Sequence, residues 1–146
     1  MTPGAIKEYF RQIRREQLEI LHLAEMIKHE ELTLLPKAVT YDKDKVQVSP
    51  EDILARSAAE IVEMQEELGR SILILKRKKA RAESMIIQLE SSDEREVMRY
   101  YYLDSLDGRL LKWDDVATKM HREKRQIFRI HGNALSNLSK VLKDVI

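Results

Sequence analysis

Between Ala5 and Leu35, the residues Ile6, Phe10, Ile13, Gln17, Ile20, Ala24, Ile27, Glu31 and Leu34 recur in alternating steps of four and three. That spacing keeps one stripe of a helix turned toward a partner, as in the seam of a coiled coil. Leu18, Leu21, Leu23 and Leu35 widen the stripe. A helix of ~30 residues would run ~45 Å. Pro36, with no amide hydrogen, is expected to end it. Residues 36–49 are polar and mixed and predict a loop, with Val46 and Val48 able to form a short extended piece. A second stripe follows at Leu54, Ala58, Ile61, Gln65, Leu68, Ile72, Leu75, Lys79, Ala82, Ile86 and Leu89. It predicts a helix over residues 50–90, ~60 Å long. Ser49 suits its N-cap, Pro50 its first position, and Glu51 and Asp52 the positive end of its dipole. Gly69 costs this helix about 1 kcal/mol relative to alanine.

Two such helices joined by a loop predict a long N-terminal antiparallel hairpin. The stripe of the second helix needs a partner, either the first helix or another copy of the chain, and the pattern fits both.

The last third changes character. Ser91 and Glu94 have capping-box spacing, and Arg95, Val97, Met98, Tyr100, Tyr101 and Leu103 predict a helix after them. Asp104 to Gly108 reads as a turn or loop. A short helix over residues 112–120 carries Trp113, Val116, Ala117 and Met120. After His121-Arg122-Glu123, a last helix over residues 124–143 has an apolar face of Ile127, Ile130, Ala134, Leu135, Leu138, Val141 and Leu142. The fold class expected is all-α: a helical arm over residues 1–90, and over 91–146 a three-helix domain whose last two helices form a helix-turn-helix.

Composition narrows the function. Four Gly and three Pro in 146 residues disfavour all-β folds and Gly-rich phosphate loops. The absence of Cys removes disulfides, thiolate zinc sites and cysteine nucleophiles, and fits a reducing cytoplasm. No apolar run approaches the ~18 residues of a membrane span, and Met1-Thr2-Pro3-Gly4 does not open like a signal peptide. His22 and His29 lie seven apart, and Asp114 and Asp115 are adjacent and point apart, so neither pair predicts a metal or acid–base site. With none of the common phosphate-loop, zinc-protease or serine-hydrolase motifs, no enzyme and no cofactor is expected.

The net charge of +1 hides a local excess: residues 119–131 carry Lys119, Arg122, Lys124, Arg125 and Arg129 against Glu123 alone. Such a block on a helix-turn-helix predicts phosphate and base contacts. A second block, Lys76, Arg77, Lys78, Lys79 and Arg81, reads as a solvated helix face, with an accessory DNA or polymerase contact as the alternative.

The stretches Glu94–Tyr102 and Trp113-Asp114-Asp115-Val116-Ala117, with the spacing of Ile127, Ile130, Ala134, Leu135 and Leu138, resemble region 4 of bacterial sigma factors. Trp113–Ala117 followed by Phe128-Arg129-Ile130-His131-Gly132-Asn133-Ala134-Leu135 is similar to a family of phage-encoded, sigma-region-4-like (ArpU-like) transcriptional regulators. Tyr41–Gln47 with Ser49-Pro50 extends the likeness over most of the chain, and residues 113–138 are its most specific part. Against the family pattern, His121 stands in place of a turn glycine, Glu123 in place of a Ser/Thr cap, and the loop Ser105–Leu111 is about four residues longer.

The resemblance implies a phage or prophage regulator in a bacterial cytoplasm. Its partners would be double-stranded DNA, RNA polymerase as a second candidate, and further copies of itself through the N-terminal helices. Lys124, Arg125, Gln126 and Arg129 would read bases in the major groove, while Lys119 and Arg122 would hold phosphates. His131 would either touch DNA from the second helical turn or pack between helices. Two rivals share the same features: a small terminase-like DNA-packaging protein, and a helical adaptor that reads no bases.

Overall fold

A computed structural model describes residues 1–39 and 50–143, with side chains described for 1–34 and 51–143. The expected loop at residues 40–49, with its extended piece and the Ser49 cap, lies outside the described residues. The elements are α1 (Pro3–Val39), α2 (Pro50–Ile86), α3 (Ser92–Met98) running into a π-helical turn (Arg99–Leu103), strands β1 (Ser105–Leu106) and β2 (Arg109–Leu110), α4 (Trp113–Met120) and α5 (Lys124–Lys143). The chain is thus mostly helical, with a long N-terminal helical region.

The residues fall into two compact units, Met1–Leu18 with Ile74–Ile146, and Glu19–Leu73. The first therefore takes in much more than residues 91–146.

α1 begins where Thr2 Oγ1 accepts from the Ala5 amide at 3.1 Å and Pro3 takes the first helical position. It continues through Pro36 to Val39, so the expected stop at Pro36 is corrected. The fixed φ of proline is itself helical, and its cost falls on the preceding turn rather than on the residues after it. α2 ends at Ile86, short of the expected residue 90: the amides of Gln88 and Leu89 bond to Met85 and Ile86 at 3.1 and 3.0 Å, tightening the last turn. Leu89 is buried from this turn and not from a helix face.

In the unit Glu19–Leu73, Ile27 and Ile61 are buried, and Gln65 Nε2 donates to Glu31 Oε1 at 2.9 Å. The covered line of α2 runs through Ile53, Ser57, Ile61, Met64, Leu68 and Ser71, while Leu54, Ala58, Gln65 and Ile72 are exposed. The expected seam is thus corrected by one residue at Leu54, Ala58, Gln65 and Ile72, while Ile61, Leu68 and Leu75 are covered as expected. α2 carries two adjacent apolar lines, and periodicity cannot say which one is covered.

In the other unit, α1 supplies Ile6, Phe10, Ile13 and Gln17, and α2 supplies Leu75, Ala82 and Ile86 to the interior. Lys78 Nζ meets Glu16 Oε1 at 2.5 Å. Val97, Leu111, Val116 and Ile127 form a core cluster, with Tyr100, Tyr101, Trp113, Ala117, Met120 and Ile130 packed against it.

The π-helical turn explains two polar residues of α1, the half-buried Arg14 and the buried Gln17. The Asp104 amide bonds to Arg99 O at 2.9 Å, five residues back. The Tyr101 and Tyr102 carbonyls accept from side chains instead: Arg14 Nη1 donates to Tyr101 O and Gln17 Nε2 to Tyr102 O, while Arg14 Nη2 reaches Leu111 O at 2.7 Å. Buried backbone acceptors have to be satisfied somewhere. Gln17, only 3% exposed, is therefore a positioned donor and not a tolerated seam residue.

The loop expected at Asp104–Gly108 includes part of a two-stranded antiparallel ribbon, pairing Ser105 with Leu110 and Leu106 with Arg109. Asp107 and Gly108, at φ 52° and 77°, turn the chain between the strands. Two positive φ values in a two-residue loop match the twist of the ribbon, and Asp-Gly is the pair that tolerates them. This small ribbon is the one departure from the all-α class among the described residues.

Candidate nucleic-acid interface

The basic segment is carried by α4, a three-residue connection and α5. α4 starts with the Lys112 amide donating to Asp115 Oδ2 at 2.8 Å. Arg109 grips the same carboxylate from β2 at 2.9 and 3.3 Å, and these two donors hold its pKa down to about 2. Asp115 thus ties the ribbon to the helix start and stays ionised.

α4 ends in a left-handed residue, His121, at φ 53° and ψ 43°. The His121 amide bonds to Thr118 O at 3.3 Å and the Arg122 amide to Ala117 O at 3.0 Å. This pair of bonds is a Schellman termination, normally made by glycine. Glu123 then opens α5: its carbonyl accepts from the Ile127 amide at 3.1 Å, and its own amide donates to Gln126 Oε1 at 3.3 Å. Half of a capping box is present, with glutamate in the cap position.

α5 is set by its apolar face. Ile127, Ala134, Leu135 and Leu138 are buried. Trp113 of α4 stacks on Tyr101 at 3.6 Å and 8°, and meets the edges of Phe128 and His131 at 5.5 and 4.8 Å. The Arg14 guanidinium lies 3.9 Å from the centre of the Tyr101 ring, so a cation, a phenol and an indole stack in sequence. Ser91 Oγ accepts from the Glu94 amide at 3.4 Å, but the Glu94 carboxylate does not return to Ser91 as a capping box would. It accepts from Asn137 Nδ2 at 2.6 Å instead and ties α3 to α5.

The seven residues expected at the interface have four different fates. Arg125 and Arg129 are exposed, one turn apart on the same face of α5, and make no ion pair among the described residues. Lys119 is also exposed, its amine 5.1 Å from the centre of the Tyr100 ring. Arg122 and Lys124 are exposed but paired: Arg122 Nη2 sits 2.6 Å from Asp93 Oδ2, and Lys124 Nζ sits 3.0 Å from Asp114 Oδ1. Gln126 has its oxygen turned back to the Glu123 amide, which leaves its amide nitrogen as a donor.

His131 does not belong to this surface. It is 7% exposed, and its Nε2 lies 2.7 Å from Tyr102 Oη. Burial, with Lys7 and Arg11 nearby, lowers its pKa to about 4, so it is neutral at neutral pH. Of the two roles open to it from sequence, it takes the packing role.

Beyond Arg129, the exposed face continues through Gly132, Asn133 and Ser136 to Lys140. From Lys124 to Lys143 the helix has five basic residues and no acidic one. Asn133 was not among the expected site residues. Its signal is position: four residues after Arg129, it shares that face, and an asparagine can offer adenine two hydrogen bonds. The 76–81 block is not uniformly solvated, since Lys78 pairs with Glu16 and Lys79 is half-buried, its pKa lowered by burial against the pull of Asp104.

Among the described residues there is no cluster of three or more His, Asp or Glu that could hold a metal ion, and no helix long and apolar enough to cross a membrane. Comparison with protein-family models, with curated proteins and with solved structures found no match to this chain.

Proposed function

We propose that the chain is a sequence-specific DNA-binding transcriptional regulator of phage or prophage type, with α4 and α5 as a helix-turn-helix similar to sigma region 4. The observation that carries this reading is the exposed face of α5. It presents Arg125 and Arg129, which make no ion pair among the described residues, on a helix that contains no acid from Lys124 to Lys143. A rigid helix with guanidinium groups near its N-terminus fits the major groove, where arginine donates two hydrogen bonds to guanine. The positive end of the helix dipole adds attraction for phosphate.

The supporting geometry is local. The Schellman turn at His121 and the edge contacts of Trp113 with Phe128 and His131 hold α4 against α5, so the helix backbone that carries the reading residues is already ordered. Lys119, exposed at the end of α4 beside the Tyr100 ring, can reach backbone phosphate. α1 and α2 serve in this reading as an antiparallel arm, supported by Glu16 meeting Lys78 and Glu31 meeting Gln65.

Selection of bound duplexes from a random pool tests the reading. A recovered consensus of several base pairs is the expected result. Enrichment without a consensus, with binding that collapses at moderate salt, would mark a helical adaptor that touches only phosphates.

A further inference from the structure

Apart from Gln65, whose amide donates to Glu31 of α1, the second apolar line of α2 has no role in the DNA reading and does not depend on it. It runs through Leu54, Ala58, Val62, Gln65, Gly69 and Ile72, with Leu73 at its edge. Leu54, Val62, Ile72 and Leu73 are 40–52% exposed. No charged residue falls on this line between Leu54 and Leu73, although charges crowd the rest of that helical surface. An uncharged stripe beside an already covered one is the pattern of a helix that packs on two sides.

Gly69 points the same way. Glycine in a helix interior is less favourable than alanine, yet nothing lies within 4 Å of where its Cβ would be. No packing among the described residues requires its small size. A second helix approaching closely over this position would.

The charges along α2 identify the occupant. From Glu51 to Glu67 the helix carries six acidic residues and one basic one, while from Arg70 to Arg81 it carries six basic residues and no acid. Lys78 is committed to Glu16, but Arg70, Lys76, Arg77 and Arg81 are exposed. Laid parallel, two such helices would set like charges together. Laid antiparallel, the acidic half of each runs along the basic half of the other.

We infer that this face of α2 is a self-association surface: two copies of the chain pair α2 against α2, antiparallel, about a two-fold axis passing near Gln65 and Gly69. The contact is isologous and closes at two chains. It would place two DNA-reading helices on one particle, but its existence requires no DNA.

Light scattering on the full chain at tens of micromolar tests the inference directly. The expected mass is that of two chains. Replacing Val62 and Ile72 by Glu should give one chain with unchanged helical circular dichroism, and raising salt toward 1 M should weaken pairing by at least about tenfold. Because the chain has no cysteine, single cysteines report direction. With a short bismaleimide, Gln65→Cys should cross-link to itself and Leu54→Cys should not. A single-chain mass, a mass indifferent to the Val62 and Ile72 changes, efficient Leu54→Cys cross-linking, or a ring of eight or more chains would each overturn it. Loss of base reading with an intact dimer would count against the DNA proposal alone.

Discussion

Tyr102 Oη and His131 Nε2 lie 2.7 Å apart in the interior, joining the π-helical turn to α5. Burial is the largest influence on both groups: it raises the phenol pKa well above its ordinary value and lowers the imidazole to about 4. The unfolded chain takes up this histidine proton near 6.5, its ordinary value, and the folded chain only near 4. Between those values the unfolded state binds more protons, so stability falls as pH drops through the window. The full loss is on the order of 3 kcal/mol. Urea midpoints measured from pH 7 to pH 4 should decline in the parent chain. They should decline less in His131→Gln, which keeps a hydrogen-bonding partner for Tyr102 but does not titrate. Parallel declines in the two proteins would rule out His131 as the source.

The π-helical turn exposes a dependence on α1. Gln17→Met keeps most of the side-chain volume but leaves the Tyr102 carbonyl without its donor. An unsatisfied buried acceptor costs about 1–3 kcal/mol. Thermal unfolding should show that loss, and amide exchange should rise over Arg99–Leu103 before the rest of the unit opens.

His121 holds a left-handed conformation between α4 and α5. A residue with a Cβ is disfavoured there by roughly 1–2 kcal/mol, part of which glycine gives back through its freer unfolded chain. His121→Gly should therefore stabilise the protein, by up to about 1 kcal/mol, and His121→Val should destabilise it. Chemical denaturation of the three proteins checks the order; a less stable glycine variant would mean that the imidazole makes a compensating contact.

The helices were legible because their signals are local. The basic cluster and Trp113 already mark α4 and α5, and the last helix starts at Lys124, where its pattern places it. Two further signals are local: Thr2-Pro3 starts α1 by the same logic that Ser49-Pro50 suggests for α2, and within the turn expected at Asp104–Gly108 the pair Asp107-Gly108 suits a two-residue hairpin. What sequence could not supply was the partner of each polar group. Gln17 looks like a seam residue, and His131 stays open between DNA contact and packing, until the carbonyl and hydroxyl that bind them are located. Pairing also decides which cations are available, since nothing in the run from Lys119 to Arg129 says that Asp93 takes Arg122 and Asp114 takes Lys124.

That pairing separates the cations on DNA. Arg125→Ala or Arg129→Ala should each cost about 1–3 kcal/mol on a selected site and relax base choice, while Lys119→Ala should weaken all sequences alike. Asp93→Asn and Asp114→Asn act in the opposite direction. Each breaks an exposed ion pair worth about 0–1 kcal/mol, so stability changes little, and each releases a cation toward phosphate. Affinity should rise by up to about fivefold per substitution on cognate and random duplexes alike, and the slope of log affinity against log salt should steepen by about 1 for each cation released. Fluorescence anisotropy over a salt series measures both quantities. A gain confined to the cognate site would assign Arg122 and Lys124 to base reading, and no gain on any duplex would place both cations outside the DNA surface.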